Sequence, residues 1–342
     1  MTQHAKNHTY RLSSPDEILE RASAFEWIVD GLIPAYGISL LAGAPFAGKS
    51  RTAASIAAHV SLGVPWCGLE TQSRRVAWLG TDRGEIDAAG TLRLAVAGLP
   101  GAGVSIVDPS TWLATEVANV DAIRELLDSE GIGLLVIDCL RASHREEENS
   151  SSIRPLVMQP IQQIAEVCPV LLVHHAGHEA TRARGSSDIP AACTTTMLLT
   201  GNARALRLKV TSHLRLPFTI DLSVAGGEGE PYRYSLADEQ GRRATDETAE
   251  LQRIAAIVRG RRGILRGELL DAIGGNATRR RDHLKEAIAS GLVVEVRSGA
   301  RIEHYPPDHD HLTPLGGGHD GQGLGGTESV PKQAGQRPKE AA

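Results

Sequence analysis

The octet GAPFAGKS, residues 43–50, restricts the possible folds of this chain more than any other stretch of its sequence. An apolar run, GISLLA, precedes the octet, and an alanine-rich run, RTAASIAAHVSLG, follows it. The octet fits the pattern G-x-x-x-x-G-K-[ST], in which glycines let the backbone curl until its N–H groups point at phosphate oxygens. A strand before the octet and a helix after it, whose N-terminus favours anions, predict a phosphate-binding loop. An ordinary glycine-rich turn is the alternative interpretation.

Two residues of this loop have specific chemical roles. The ammonium group of Lys49 reaches the terminal phosphates of a nucleoside triphosphate, and the hydroxyl of Ser50 binds Mg²⁺. We therefore expect ATP and Mg²⁺ as cofactors. The predicted nucleotide-binding residues are Gly43, Ala44, Pro45, Phe46, Ala47, Gly48, Lys49, Ser50 and Arg51.

A phosphate loop of this kind needs a second acid on the metal side, at the end of another strand. The run GLLVIDCL supplies Asp138 after four apolar residues. A carboxylate in this Walker B position contacts Mg²⁺, usually through water. Apolar runs that end in aspartate are common, but the upstream loop favours the metal interpretation. The sequence thus predicts Ser50 and Asp138 as the metal residues.

Short apolar runs alternate with helix-like stretches from about residue 25 to about residue 236. Runs such as RVAWLGT and PVLLVHHAG are typical of buried strands, and stretches such as VANVDAIRELLDSEG are typical of helices. This alternation predicts an α/β fold with a mostly parallel sheet covered by helices. The later runs TTTMLLT, ALRLKVTS and FTIDLSV have no long helices between them and extend or flank the sheet.

Polar residues follow two more of the predicted strands. In open α/β sheets the carboxyl ends of the strands face the ligand crevice. Asp82, after RVAWLGT, would orient or deprotonate the attacking water, and a helix cap or turn is the alternative. His174 and His175 end another strand, and we expect His175 to bind the γ-phosphate. One packed and one surface histidine is the alternative for that pair.

The composition is that of an ordinary globular protein, with 41% hydrophobic and 23% charged residues. The net charge of -5 means that any contact with nucleic acid must come from local basic patches. We find no signal-peptide pattern and no run of the roughly 18 apolar residues that a membrane span needs. The four cysteines lack C-x-x-C spacing, which favours reduced thiols in a cytoplasmic protein.

Composition and periodicity divide the chain into five segments. They are a polar lead-in with a short helix at 1–24, an ATPase domain at 25–236, a polar linker at 237–247, a small domain at 248–305 and a disordered tail at 306–342. Three helices and a terminal hairpin in the small domain resemble a winged helix-turn-helix. Its basic residues predict contacts with DNA phosphates, and a protein-docking module is the alternative. The candidates are Arg279, Arg280, Arg281, Lys285, Arg297 and Arg301.

The order of several blocks extends these observations. WIVDGLIPAYGISLLAGAPFAGKS, VAWLGTD, GLLVIDCLRA, LLVHHAGH and RGSSDIPAA follow one another between about residues 25 and 225. In this the chain resembles RecA-type P-loop ATPases of the AAA_25 group, which includes the hexameric plasmid replication helicase RepA. The resemblance implies a RecA-like core, and a hexamer or filament with ATP bound between subunits. It also implies that hydrolysis drives movement along DNA or remodelling of a DNA complex.

Two residue assignments depend on this resemblance. Asp82 stands where the family commonly has a glutamate that activates water, so a shorter carboxylate would make hydrolysis slow. The family also uses a late basic pair that reaches into the neighbouring subunit's ATP site. Lys209 and Arg215, in ALRLKVTSHLRLPF, are the candidates, and surface charges on a strand are the alternative for each.

We therefore predict an oligomeric, ATP-hydrolysing protein that acts on DNA, as a helicase or remodelling ATPase in replication or recombination of a plasmid, phage or mobile element. Two other functions fit the same motifs. One is a nucleotide-gated, DNA-binding regulator that does not translocate, and the other is a small-molecule phosphotransferase.

Overall fold

The computed structural model describes residues 12–21, 26–82, 84–108, 112–175, 185–227 and 229–307. The predicted disordered tail lies outside the described residues from residue 308 onward, as does residue 25, where the predicted ATPase domain begins. Helix α1 (Pro15–Arg21) is the short N-terminal helix that the sequence predicts. Ser14 and Glu17 cap it reciprocally, because each backbone N–H donates to the other's side chain, at 2.9 and 3.2 Å.

A nine-stranded sheet forms the centre of the described structure. Its strands are β3 (Ile38–Gly43), β4 (Val76–Gly80), β5 (Val104–Val107), β6 (Leu134–Asp138), β7 (Val170–His175), β8 (Thr195–Gly201), β9 (Ala205–Ser212), β10 (Phe218–Gly227) and β11 (Glu230–Leu236). Strands β1 (Trp27–Val29) and β2 (Ile33–Pro34) form a separate antiparallel pair. The order across the large sheet is β11-β10-β9-β8-β3-β7-β6-β4-β5. Strands from β8 to β5 pair in parallel, and β9 to β11 pair antiparallel, so the predicted α/β fold with a mostly parallel sheet is confirmed.

Helices cover both faces of the parallel part of the sheet. They are α2 (Lys49–Leu62), α3 (Gly84–Val96), α4 (Val117–Ser129), α5 (Gln159–Ala165) and α6 (Asp188–Ala191), with a short 3₁₀ helix (Leu140–Ser143) and a π-helical turn (Arg154–Met158). Leu41 and Val136 belong to the hydrophobic core that includes α2 and α3, whereas their neighbours Leu40 and Ile137 belong to the core that includes α4 and α5. Burial on both faces explains why these strands are continuous apolar runs in the sequence.

The C-terminal part has its own core and a small sheet. Its elements are α7 (Glu239–Gly260), β12 (Ile264–Leu265), α8 (Arg266–Ile273), α9 (Ala277–Ala289), β13 (Val294–Ser298) and β14 (Arg301–Tyr305). The three strands pair antiparallel in the order β12-β14-β13. Buried residues of the helices, including Ile254 and Leu269, pack with Val293 in one cluster. The three predicted helices and the predicted hairpin are therefore present.

The segment predicted as a linker is largely helical. Residues 239–247 form the first part of α7, whose N-terminus is capped by Asp238 through a hydrogen bond from the backbone N–H of Gly241 at 2.8 Å. Arg207 on β9 binds Asp221 on β10 at 2.7 Å and Asp246 on α7 at 2.8 Å. These ion pairs hold the polar start of the helix against the sheet, so its composition is that of an exposed helix face. The described residues all belong to one compact unit, Met1–Pro307.

All four cysteines are free thiols; Cys139, Cys168 and Cys193 are buried, and Cys67 is half-buried. In the ranges that the structure describes, no helix is both long and apolar enough to cross a membrane.

Two buried histidines predict that the protein loses stability in mild acid. Burial lowers the pKa of His144 and of His304 below the ordinary value of 6.5. The unfolded chain therefore binds more protons than the folded protein as the pH falls below about 6.5, so the free energy of unfolding decreases. We expect a lower thermal midpoint at pH 5.5 than at pH 7.5. In the variant His304→Gln the difference should shrink, and a midpoint independent of pH in the wild type would contradict this account.

Candidate functional site

The octet forms a tight loop between β3 and α2. A Cβ atom on Gly43 would lie 2.8 Å from the carbonyl oxygen of Leu199, so only glycine fits there. Gly48 has φ +89° and precedes the first residue of α2. The ammonium group of Lys49 is buried and donates to the carbonyl oxygen of Ala44 at 2.9 Å. The lysine thus lies across the loop that it would close around a phosphate.

The N-terminus of α2 is suited to an anion. Gly48 at the cap position provides no side-chain hydrogen bond, and the first turn of the helix has no acidic residue. Its first N–H groups are therefore available to phosphate oxygens, and the helix dipole adds a positive potential. Phe46, in the middle of the loop, has φ +62° and is 89% exposed.

Neighbouring strands bring the predicted polar residues to the same edge of the sheet. Strands β3, β7, β6 and β4 are adjacent, and they are parallel. The register pairs Gly43 with His175, and Gly80 with Asp138. Asp82 follows two residues after Gly80. The carboxyl ends of these strands therefore surround the loop, as the strand-end rule predicts.

These residues line one cavity of about 820 Å³. Lys49, Ser50, Asp82, Asp138 and His175 all contribute to its walls. The combination of a lysine, a hydroxyl and two carboxylates suits a triphosphate with a divalent ion. The structure thus brings the four predicted catalytic residues together around the loop.

The two histidines at the end of β7 have different environments. His174 is fully buried, and its Nδ1 lies 4.0 Å from Oε1 of Glu148. His175 lines the cavity, and burial lowers its pKa, with a further decrease from Lys49 and His174. Its imidazole is therefore neutral near pH 7 and able to donate or accept a hydrogen bond. The geometry is consistent with His175 rather than His174 as the residue that meets a phosphate.

The residues suit Mg²⁺ bound together with phosphates. Among the described residues, no group of three or more histidines, cysteines, aspartates or glutamates could hold a metal ion. Mg²⁺ is usually bound by one or two protein oxygens, substrate phosphates and water. The hydroxyl of Ser50 and the carboxylate of Asp138, on the walls of the same cavity, form such a donor set.

The structure adds residues that the sequence did not indicate. Tyr232, on β11, lines the cavity, and the guanidinium carbon of Arg51 lies 5.1 Å from the centre of its ring. Arg93, on α3, also lines the cavity. Tyr232 is far from the loop in the chain, and its strand was not predicted. The alternation of tyrosines in PYRYSL was the only sequence signal for this strand.

The predicted basic pair lies away from this cavity in the chain itself. Lys209 is exposed on β9, and Arg215 follows that strand. Arg215 binds Asp30 at 3.5 Å, and its guanidinium carbon lies 4.8 Å from the ring centre of Phe218. Neither residue lines the cavity, so their action on a neighbouring subunit stays a prediction.

The six basic candidates of the C-terminal part differ in their surroundings. Arg280 donates to the carbonyl oxygen of Leu270 and to Asp271, each at 3.3 Å, and thereby joins α9 to α8. Arg297 and Arg301 pair with Glu295 and Glu303 of the hairpin. The remaining three lie exposed on α9; they are Arg279, Arg281 and Lys285.

Comparisons with known proteins add a family. The model of the AAA_25 family, described as an AAA domain, matches residues 6–181, which is just over half of the chain. This chain belongs to the AAA_25 family. The matched region contains Lys49, Asp82, Asp138 and His175, and it ends before the C-terminal part. The predicted family resemblance is thereby confirmed.

Two solved structures are similar to this chain. One is an isolated ATPase domain, with 14% identity and a TM-score of 0.49 over 67% of this chain and 100% of that chain. The other is a DnaB-like replicative helicase, described with its interactions with primase, with 12% identity and a TM-score of 0.49 over 66% of this chain and 69% of that chain. A search of curated proteins found no match.

Proposed function

We propose that this protein is a Mg²⁺-dependent ATPase that acts on DNA as a homo-oligomer. The observation that carries the proposal is the cavity at the sheet edge, where Lys49, Ser50, Asp138 and His175 surround the phosphate loop. Membership in the AAA_25 family supports the same conclusion, because the match covers this loop and these strands.

The residues divide the hydrolysis of ATP among them. Backbone N–H groups of the loop and Lys49 bind the β- and γ-phosphates, and Ser50 with Asp138 holds Mg²⁺. A bound Mg²⁺ would neutralise charge on the transferred phosphoryl group. Asp82 takes a proton from water as the water oxygen bonds to the γ-phosphorus, and the bond to the bridging oxygen of ADP breaks. His175 binds the γ-phosphate and distinguishes ATP from ADP.

The C-terminal part supports DNA as the partner. Its order of elements, α7-β12-α8-α9-β13-β14, and its sheet order, β12-β14-β13, resemble those of a winged helix. In helix-turn-helix domains the recognition helix enters the major groove, and α9 would have that role here. Exposed cations on α9 and the arginines of the hairpin would contact phosphates. These features favour DNA over a protein-docking role.

Assembly follows from the family rather than from the chain alone. We expect a hexamer in which Lys209 or Arg215 of one subunit completes the ATP site of the next. We also expect a cytoplasmic protein that acts in replication or recombination of a plasmid, phage or mobile element. The alternatives are a nucleotide-gated regulator that does not translocate and a small-molecule phosphotransferase.

ATP turnover measured with and without DNA tests this function. We expect Mg²⁺-dependent turnover that increases several-fold with single- or double-stranded DNA. A protein that neither binds DNA nor responds to it would contradict the DNA-acting ATPase and favour the phosphotransferase. A strand-displacement assay then separates the two DNA-binding functions, because unwinding excludes the regulator without translocation.

A further inference from the structure

Thr81 joins the two strand ends that carry the acidic residues of the cavity. Its backbone N–H donates to the carbonyl oxygen of Asp138 at 2.8 Å. Its hydroxyl donates to the carbonyl oxygen of Cys139, also at 2.8 Å. The first bond continues the pairing of β4 with β6, and the second is made by the side chain alone. Thr81 therefore contacts the backbone on both sides of the peptide bond that follows Asp138.

The carbonyl oxygen of Cys139 accepts a second side-chain hydrogen bond. The hydroxyl of Ser143 donates to it at 2.9 Å, and Ser143 is fully buried in the 3₁₀ helix after β6. Ser143 is itself held by the backbone N–H of Ala114, which donates to its carbonyl oxygen at 2.8 Å. Two hydroxyl groups from different elements thus fix one carbonyl group directly after the metal-side acid.

The position of Thr81 gives this arrangement a chemical consequence. Thr81 is the residue immediately before Asp82, and the carbonyl group that it holds belongs to the residue immediately after Asp138. Rotation of either backbone segment would move one carboxylate relative to the other. Because both carboxylates line the same cavity, their separation sets where water and Mg²⁺ stand relative to a phosphate.

We propose that Thr81 is a positioning residue, whose hydroxyl, together with that of Ser143, fixes Asp82 and Asp138 in the geometry for hydrolysis. The inference rests on the proposed ATPase function. It assigns no contact between Thr81 and the nucleotide. It predicts that loss of the hydroxyl lowers the rate of the chemical step and leaves nucleotide affinity nearly unchanged.

The test compares Thr81→Val with Thr81→Ser. Valine keeps the shape and the backbone hydrogen bond but removes the hydroxyl, so kcat should fall about tenfold to a hundredfold. Serine retains the hydroxyl, and its kcat should lie within about threefold of the wild type. The Kd for a fluorescent ATP analogue should change by less than about twofold in both variants, while the Mg²⁺ concentration for half-maximal turnover rises for valine only.

A control and a second variant separate positioning from folding. Thr245→Val removes a hydroxyl that donates to the carbonyl oxygen of Gly241 at 2.9 Å, far along the chain in α7, and should leave kcat unchanged. Ser143→Ala should lower kcat as well, and the double variant should show less than the product of the two single effects, because both hydroxyls act on one carbonyl group.

Three results would overturn the inference. They are a kcat of Thr81→Val within about twofold of the wild type, an equal loss in Thr81→Ser, and a loss of nucleotide affinity that accounts for the lower rate. If Thr81→Val does not fold, the comparison of Ser143→Ala with the wild type decides in the same way. A wild-type protein without any ATP turnover would instead remove the proposed function, and this inference with it.

Discussion

The variant Lys49→Ala is expected to lose ATP turnover by about a hundredfold to a thousandfold, which corresponds to roughly 3–4 kcal/mol of transition-state stabilisation. Charge accumulates on the γ-phosphate oxygens as the bond to ADP breaks, and Lys49 is the lysine that the loop itself carries. Its ammonium group already lies across the loop, 2.9 Å from the carbonyl oxygen of Ala44. Alanine leaves the loop without that charge.

A matched control removes a positive charge elsewhere on the same sheet. Arg75 directly precedes β4, at the amino end of the strand, and its side chain is 61% exposed. The variant Arg75→Ala should keep turnover within about twofold of the wild type, since surface ion pairs contribute little to stability. Steady-state phosphate release, with circular dichroism to check folding, measures both variants. Undiminished turnover in Lys49→Ala would reject the assignment of the loop.

The triple variant Arg279→Ala, Arg281→Ala and Lys285→Ala is expected to weaken DNA binding more than any other surface change. These side chains are exposed on α9, whereas the neighbouring Arg280 is held by Asp271. Each lost phosphate contact should reduce the slope of log K against log salt by about 1. The triple variant should therefore bind DNA with a much weaker dependence on salt.

The control for this variant removes the same charge from other exposed positions. Arg204 directly precedes β9, and Arg242 and Arg243 lie in the first turns of α7; all three are exposed. Their triple replacement by alanine should change the affinity little. Fluorescence anisotropy with labelled duplex and single-stranded DNA at several salt concentrations measures both proteins. Equal affinities and equal salt slopes would remove α9 from the DNA surface.

The parallel core was predictable because its strands are buried on both faces. Such strands are uninterrupted apolar runs, as in Leu134–Asp138, and the helices between them are long. The small strands β1, β2 and β12 are two or three residues long, too short to leave a periodic pattern. Helix α7 was only partly predicted because its first turns are polar and contain Gly241. Contacts that no local pattern reveals, such as that of Arg207 with Asp246, order this segment.

The site was predictable where it follows from strand ends and a motif. Lys49, Asp82, Asp138 and His175 were expected at one edge of the sheet, and they line one cavity. Residues that join the site through distant pairing were not predictable. Tyr232 reaches the cavity only because β11 pairs with β10 at the far side of the sheet. The sequence likewise gives no sign that the hydroxyl of Thr81 bonds to a carbonyl group 58 residues later.

A structure determined with Mg²⁺ and a non-hydrolysable ATP analogue tests the central claim most directly. We predict density for the triphosphate along the backbone N–H groups of residues 44–50, with Lys49 on its terminal phosphates. The metal ion should lie beside the hydroxyl of Ser50 and the carboxylate of Asp138. Density for the analogue at another place, with this loop empty, would contradict the account.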